Sequence, residues 1–369
     1  MYLLSFVTPS GTKKFFERAI SKGIKPTHFK KFEELFISGL GMGTYLGAID
    51  DQTDKLVESA VIESVMSGVI NVIDTAINYR YQRAERSVGR ALRRLFKKGF
   101  SRDEIFISTK NGYLTGDGDL GEDVFEHVKR TLIDPGVISV NDIVAGIHCM
   151  TPAFLENQLN RSLENLGLKT IDLMYLHNAV ESQQPVVGKK EFLIRLKDAF
   201  EFFEKARSDG KIKYYGMATW DCFRVTEYEK HHFNLETAVK IAQEIAGKSH
   251  GFKFVQLPFN LALREALVKP TQTVNGKKCT LLQAAKALGI GVFASVPLLQ
   301  SNLLKYHLPE IDGRSGALLC LDFVRSTPGI LAPLVGHKQP EHVKENLKLG
   351  FLETLTETQY KEVMQFSGF

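Results

Sequence analysis

Short apolar runs alternate with longer stretches whose apolar positions return at helical spacing, and the alternation continues through most of the chain. The runs at residues 35–40, 69–73, 105–108, 171–176, 212–217, 253–257, 291–295 and 330–335 predict strands. Helices are predicted over 51–66, 84–96, 152–166, 190–208, 235–246, 281–288 and 316–325, with a last one after Pro340. In the first of these, Leu56, Ala60, Val61 and Val65 fall on one face. Residues 356–365 read as a tail. Eight strand–helix units in series, with no linker between them, predict a single α/β domain: a (β/α)8 TIM barrel closed by right-handed crossovers. The connections at 131–150, 221–234, 262–279 and 299–314 are long, and long βα loops shape the pockets of such barrels.

Residues 1–35 precede this pattern as an extension, leaving 36–369 to the barrel. The extension is rich in Lys13, Lys14, Arg18, Lys22, Lys25, Lys30 and Lys31, while Phe15, Phe16, Ala19 and Ile20 recur at helical spacing. It predicts a basic amphipathic helix, either an arm for a membrane surface or a partner, or an extra helix laid across the barrel's end.

Composition changes little. A chain of 369 residues with 44% hydrophobic and 24% charged residues can bury a large core. A net charge of +5 is too mild to point to nucleic acid, though it favours anionic ligands such as a phosphate-bearing cofactor. Cys149, Cys222, Cys279 and Cys320 form no Cys-x-x-Cys pair, so no zinc or redox couple is expected. Met1 to Val7 is apolar but is broken by Thr8-Pro9-Ser10, and no run is long enough to span a bilayer. Reduced thiols and the lack of such segments predict a cytoplasmic protein.

Candidate chemistry gathers at the predicted strand ends. Asp74 ends the second strand with Tyr79 just beyond it, Lys110 ends the third, and His177 the fourth. Singly, each has an ordinary structural explanation; together they would meet at one face of the barrel. A phenol with a pKa near ~10 is a poor acid at neutral pH, and a neighbouring cation lowers that value. Lys110 would be that cation, Asp74 its ion-pair partner, and His177 a hydrogen-bond donor to a substrate oxygen. Such a set can protonate an oxygen that becomes an alkoxide, as carbonyl reduction requires.

These residues resemble the aldo-keto reductase family, and the likeness runs from about Leu40 to Leu349. It is carried by Asp74-Thr75-Ala76-x-x-Tyr79, Thr109-Lys110, Ser162 to Gly167 leading into Ile171 to His177, Gly210 to Gly216, Val255-Gln256 with Asn260, Pro297-Leu298, and Pro340 to Asn346. The resemblance implies a TIM barrel that binds a nicotinamide dinucleotide across its mouth, NADP(H) in preference to NAD(H), and acts on a small carbonyl or alcohol. It assigns Tyr79 as general acid and base, Lys110 and Asp74 to tuning it, and His177 to the carbonyl. Gly43, Thr44, Thr219, Gln256, Pro297, Leu298, Gly336, Lys338, His342, Glu345 and Asn346 would hold the cofactor. Of these, Gln256 would meet the nicotinamide amide, Glu345 and Asn346 the adenine end, and Lys338 a 2′-phosphate.

The chain also departs from the family pattern. Ala218-Thr219 stands where relatives often have Ser-Asn, and Ser295-Val296 where many have a stacking aromatic. These altered contacts leave room for a different class of function, a cofactor-sensing or regulatory protein on the same barrel. A Schiff-base lyase using Lys110 is a third reading. The glycines Gly39, Gly41, Gly43 and Gly47 also invite a Rossmann reading with Asp74 as the ribose acid, but no helix opens at them. In the barrel reading they form the first loop. Tyr45, Arg80 and His148 are candidates for the substrate pocket; the structural alternative is a pair to Glu85 for Arg80, and for His148, which precedes the helix start at Thr151-Pro152, a structural place in the loop before that helix is the favoured reading. His231-His232 is an exposed-looking pair in a charged run, and no metal is expected there.

Overall fold

A computed structural model describes residues 6–366; most of the apolar stretch Met1 to Val7 lies outside them. Eight parallel strands close into a barrel: β1 (Gly41–Gly43), β2 (Val72–Asp74), β3 (Phe106–Asn111), β4 (Ile171–His177), β5 (Ile212–Ala218), β6 (Phe252–Pro258), β7 (Gly291–Ser295) and β8 (Ile330–Gly336). Each pairs with its neighbour in sequence, and β8 closes onto β1 through Gly336 opposite Gly43. The topology is that of a TIM barrel, and the open sheet of a Rossmann fold is excluded.

Seven of the eight predicted strands coincide with barrel strands. The first does not. Leu35–Ser38 pairs antiparallel with Phe29–Phe32, and the barrel strand is Gly41–Gly43, which glycine content had marked as a loop. Crowding explains the glycine at its start: a Cβ on Gly41 would lie 2.6 Å from Leu334. The residues predicted as a tail form a helix, Glu357–Gln365, with Thr356 and Gln359 making its capping box. A helix not foreseen, Ala179–Val187, follows β4.

The barrel interior is filled by side chains such as Phe106, Leu173, Tyr175, Phe254 and Phe293. The Phe29–Ser38 hairpin adds Phe32, Leu35 and Ile37 to this cluster, with the Phe32 and Phe254 rings 4.5 Å apart, so it plugs the bottom of the barrel. The basic helix Pro9–Ser21 lies beside the hairpin, capped by Thr8. It buries Phe15 against Phe29 and Phe100, while Lys14 and Arg18 pair with the buried Glu104. Of the two readings of the extension, the helix laid across the barrel's end matches this placement. The opposite mouth is left open.

Candidate active site

At the carboxyl ends of the strands lies a cavity of about 490 Å³. Asp74, Tyr79, His177, Thr219 and Gln256 line it, as do Gly43, Thr44, Tyr45, Pro297, Leu298 and Gly336. Lys110 sits behind this wall, fully buried.

The parallel register places Asp74 beside Ser108 and, two residues on, Lys110. The Asp74 carboxylate accepts from Lys110 Nζ at 2.5 Å, Ser108 Oγ at 2.7 Å and Gln256 Nε2 at 3.0 Å. Lys110 also donates to the Thr75 carbonyl at 2.8 Å, and its ammonium lies 4.7 Å from the centre of the Tyr79 ring. Burial pulls the Lys110 pKa down, but Asp74 and Tyr79 outweigh it and the net direction is up. A lysine held protonated and buried is unsuited to Schiff-base chemistry.

For Tyr79 the balance reverses the sequence expectation. Burial is the largest influence and raises its pKa; Lys110 opposes it without overcoming it, so the hydroxyl stays protonated at neutral pH. Burial, then the charge of Lys110, then His148 hold His177 well below the usual imidazole range, so its ring is neutral. The Tyr79 and His177 rings are 6.0 Å apart, with Tyr45 edge-on to Tyr79 at 5.0 Å. Buried His177 Nδ1 and Asn78 Oδ1 lack hydrogen-bond partners among the described residues.

Backbone conformation explains how neighbours in sequence part company. Arg80, Tyr81 and Gln82 all have positive φ (49°, 50° and 72°), an unusual run for non-glycine residues. This corner turns Arg80 away from the cavity that Tyr79 lines. Its guanidinium pairs with the Asp54 carboxylate and donates to Ser87 Oγ at 3.3 Å. Arg80 is therefore not a pocket residue, and its partner is not Glu85, which accepts instead from Thr109 and Asn165. His148 is likewise absent from the cavity wall: it is fully buried behind His177. A second strained segment, with positive φ at Val296, Leu299, Gln300 and Ser301, carries Pro297 and Leu298 over the cavity.

That segment continues to a second cavity of about 570 Å³, lined by Tyr306, Leu308, Arg314, Ser315 and Glu345. Glu345 accepts from Ser315 Oγ at 2.7 Å and from Lys348 at 2.6 Å. Asn346 lines neither cavity; buried, it donates to His337 Nδ1 at 3.3 Å. His342 is exposed and also lines neither. Lys338 also lines neither; its side chain lies near Gly47, in the loop after β1.

Several lining residues carried no legible signal: Asn78, Tyr113, Asn178, Trp220, Gln300 and Ser301. They lie in loops whose path is set by distant contacts. Glu181 is an example, accepting from the backbone N–H groups of Trp220, Asp221 and Cys222 at 2.9–3.0 Å and so shaping the loop after Thr219. The only detectable sequence hint was proximity to a predicted strand end.

An eight-stranded parallel barrel with a Tyr, Lys, Asp and His set at its open mouth defines a class, the (β/α)8 barrels that gather polar groups at the carboxyl ends of their strands. The model of the aldo/keto reductase family matches residues 39–311, and the chain belongs to that family. It is 22% identical over 338 residues to an uncharacterized oxidoreductase of Schizosaccharomyces pombe, covering 89% of this chain and 86% of that one. It is 25% identical to the NADH-specific methylglyoxal reductase of Escherichia coli over 199 residues, 53% of this chain and 52% of that protein. Among solved structures, an aldo/keto reductase of Klebsiella pneumoniae in complex with NADP and acetate superposes with a TM-score of 0.59 at 20% identity, covering 90% of this chain and 92% of that one. The holo aldo-keto reductase of Bacillus halodurans gives 0.62 at 19%, covering 91% and 94%.

Proposed function

We propose that this protein is an NAD(P)(H)-dependent oxidoreductase that interconverts an aldehyde or ketone and its alcohol, with Tyr79 as general acid and base. The observation that carries this reading is the convergence of Tyr79, Lys110, Asp74 and His177 at one cavity. The residues present fit a dinucleotide. Gly43 and Gly336, paired across β1 and β8, leave a bare backbone floor where added Cβ atoms would find nothing closer than 3.7 Å. The loop after β7 links this floor to the second cavity, a run suited to an extended ligand.

When bound, the nicotinamide supplies or accepts the hydride at the substrate carbon. Thr219 and Gln256 would face its amide, Pro297 and Leu298 cover it, and Glu345 stand at the adenosine end. Tyr79, kept protonated by burial, donates to the carbonyl oxygen as that oxygen gains charge. Lys110, kept charged by Asp74, then stabilises the phenolate. His177, neutral, donates a hydrogen bond to the same oxygen and orients it. NADP(H) is preferred through Lys338, beside the loop after β1; the NADH-specific relative in Escherichia coli keeps NAD(H) open.

One observation favours a second reading, a cofactor-binding sensor with little turnover. Gln256 Nε2 is already committed to Asp74, and Thr219 Oγ1 to the Gln256 carbonyl at 3.4 Å, so two expected nicotinamide contacts are partly spent within the protein. Titration with NADPH and NADH by nicotinamide fluorescence, followed by single-turnover assays on a panel of aldehydes and ketones, separates the two. Binding with turnover supports the reductase, binding without turnover the sensor, and failure to bind either dinucleotide removes both.

A further inference from the structure

His148 stands at the neck of the long excursion after β3. The neck is closed by the Leu114 N–H to the Ile147 carbonyl at 2.8 Å and the Cys149 N–H to the Gly112 carbonyl at 2.9 Å. Its imidazole is bonded on both nitrogens: Nε2 to the His177 carbonyl at 2.9 Å, and Nδ1 to Gln183 Nε2 at 3.0 Å. Arg195 fixes the direction of this chain. Its guanidinium donates to Gln183 Oε1 at 3.1 Å, which turns the Gln183 amide nitrogen toward His148. Nδ1 is thereby the acceptor, and Nε2–H the donor to His177.

The bond to His177 falls on a particular peptide. Its carbonyl accepts from His148, and its N–H, that of Asn178, donates to the Ala218 carbonyl at 2.6 Å. Both ends of the 177–178 unit are pinned just where the chain enters a left-handed conformation, φ 46° at Asn178. Room for the imidazole is reserved by Gly112, where a Cβ would lie 2.7 Å from His148 Nε2. Tyr113 packs edge-on against both imidazoles, at 5.3 Å from His148 and 5.0 Å from His177.

We infer that His148 is a positioning residue: through the Arg195–Gln183 relay it presents Nε2–H to the 177–178 peptide and so holds the His177 imidazole at the angle needed to meet the substrate carbonyl. This rests on the reductase reading of the site. The groups facing His148 are His177, Tyr113 and Gln183, with Arg195 and its partner Glu191 beyond Gln183. Burial pushes its pKa down to about 4, so the ring is neutral across the working range.

Three variants test the inference. His148→Leu removes the donor, and kcat should fall roughly 10- to 100-fold, with dinucleotide Kd and circular dichroism unchanged. His148→Gln, whose amide can reach the same carbonyl, should recover most of that loss. Gln183→Glu is the sharpest case. A carboxylate beside Nδ1 keeps the proton there, so neutral His148 would turn a bare Nε2 toward the His177 carbonyl. Only the doubly protonated ring would then satisfy both, so activity of this variant should fall as pH rises through the His148 pKa, where the wild type stays flat. Equal activity of His148→Leu and wild type, equal loss in His148→Gln and His148→Leu, or an unchanged pH profile in Gln183→Glu would each overturn it. Long-range 15N–1H spectra of the His177 ring give a readout independent of turnover: its shifts should move in His148→Leu and return in His148→Gln. If wild type turns over no carbonyl, the reductase reading fails, while unmoved His177 shifts defeat the positioning role itself.

Discussion

The two ends of the barrel hold buried charge in different ways. At the bottom, Arg325 is fully buried and its donors reach Asp322, the carbonyls of Leu349, Leu352 and Glu353, and His28 Nδ1. His28 in turn bonds the Val69 carbonyl at 2.8 Å, and Lys30 of the hairpin donates to the carbonyls of Arg325 and Ile330. At the mouth, Asp74 and Lys110 are also buried and paired, yet atoms around them, on Thr75, Asn78, Tyr175 and His177, lack partners among the described residues. A satisfied cluster locks chain to chain. An unsatisfied one does not, and of its four residues Asn78 and His177 line the cavity, so the mouth keeps polar groups uncommitted where barrels of this kind place their chemistry.

The largest expected effect tests the mouth. Tyr79→Phe should lower kcat on the order of 10²- to 10⁴-fold while leaving dinucleotide binding and the unfolding midpoint nearly intact. Unchanged turnover would remove Tyr79 from the mechanism. The mirror experiment is at the bottom, where Arg325→Met strips Asp322 of a partner and should cost about 3–5 kcal/mol in urea unfolding, with kcat per folded molecule unchanged. A loss of kcat without loss of stability there would collapse the distinction between the ends.

A smaller effect is expected at the floor of the mouth. Gly336→Val places methyl groups where the cavity is bare, so Kd for the dinucleotide should rise by about 1–3 kcal/mol in binding free energy, read by fluorescence titration, with little change in stability. The last test is a slope shared by both ends. Burial pushes the pKa of His28 down to about 3, and those of His148 and His337 to about 4, from 6.5. Between these values and 6.5 the unfolded chain binds more protons than the folded one, so stability is full above 6.5 and declines as pH falls below it. Each such histidine contributes about 1.4 kcal/mol per pH unit in that window, measurable as a urea midpoint against pH. Replacing His28 with Gln should flatten the slope by one histidine's share.

Strand existence was legible because buried parallel strands read as apolar runs whatever their surroundings, as 171–176 and 212–217 do. Gly41–Gly43 was not, because its strand character comes from pairing with Val335 and Ile73 across a crowded closure rather than from its own residues. Asp74, Tyr79, Lys110 and His177 could be found because each sits at or just beyond a strand end, and parallel strands bring such ends together. Arg80 shares that proximity and His148, in the long loop after β3, does not, yet both lie outside the cavity. Three successive positive φ angles turn Arg80 to Asp54, and Gly112 admits His148 behind His177 rather than in front of it.

By itself, then, the sequence determined the barrel, the family and the chemical types at its mouth, since periodicity and strand-end residues are local properties. Tertiary structure alone decided which neighbours face the cavity, and that burial outweighs Lys110 in setting the state of Tyr79. It also decided that the basic extension seals the barrel's floor. Those outcomes depend on desolvation and on contacts between residues far apart in the chain, and neither is written in local spacing.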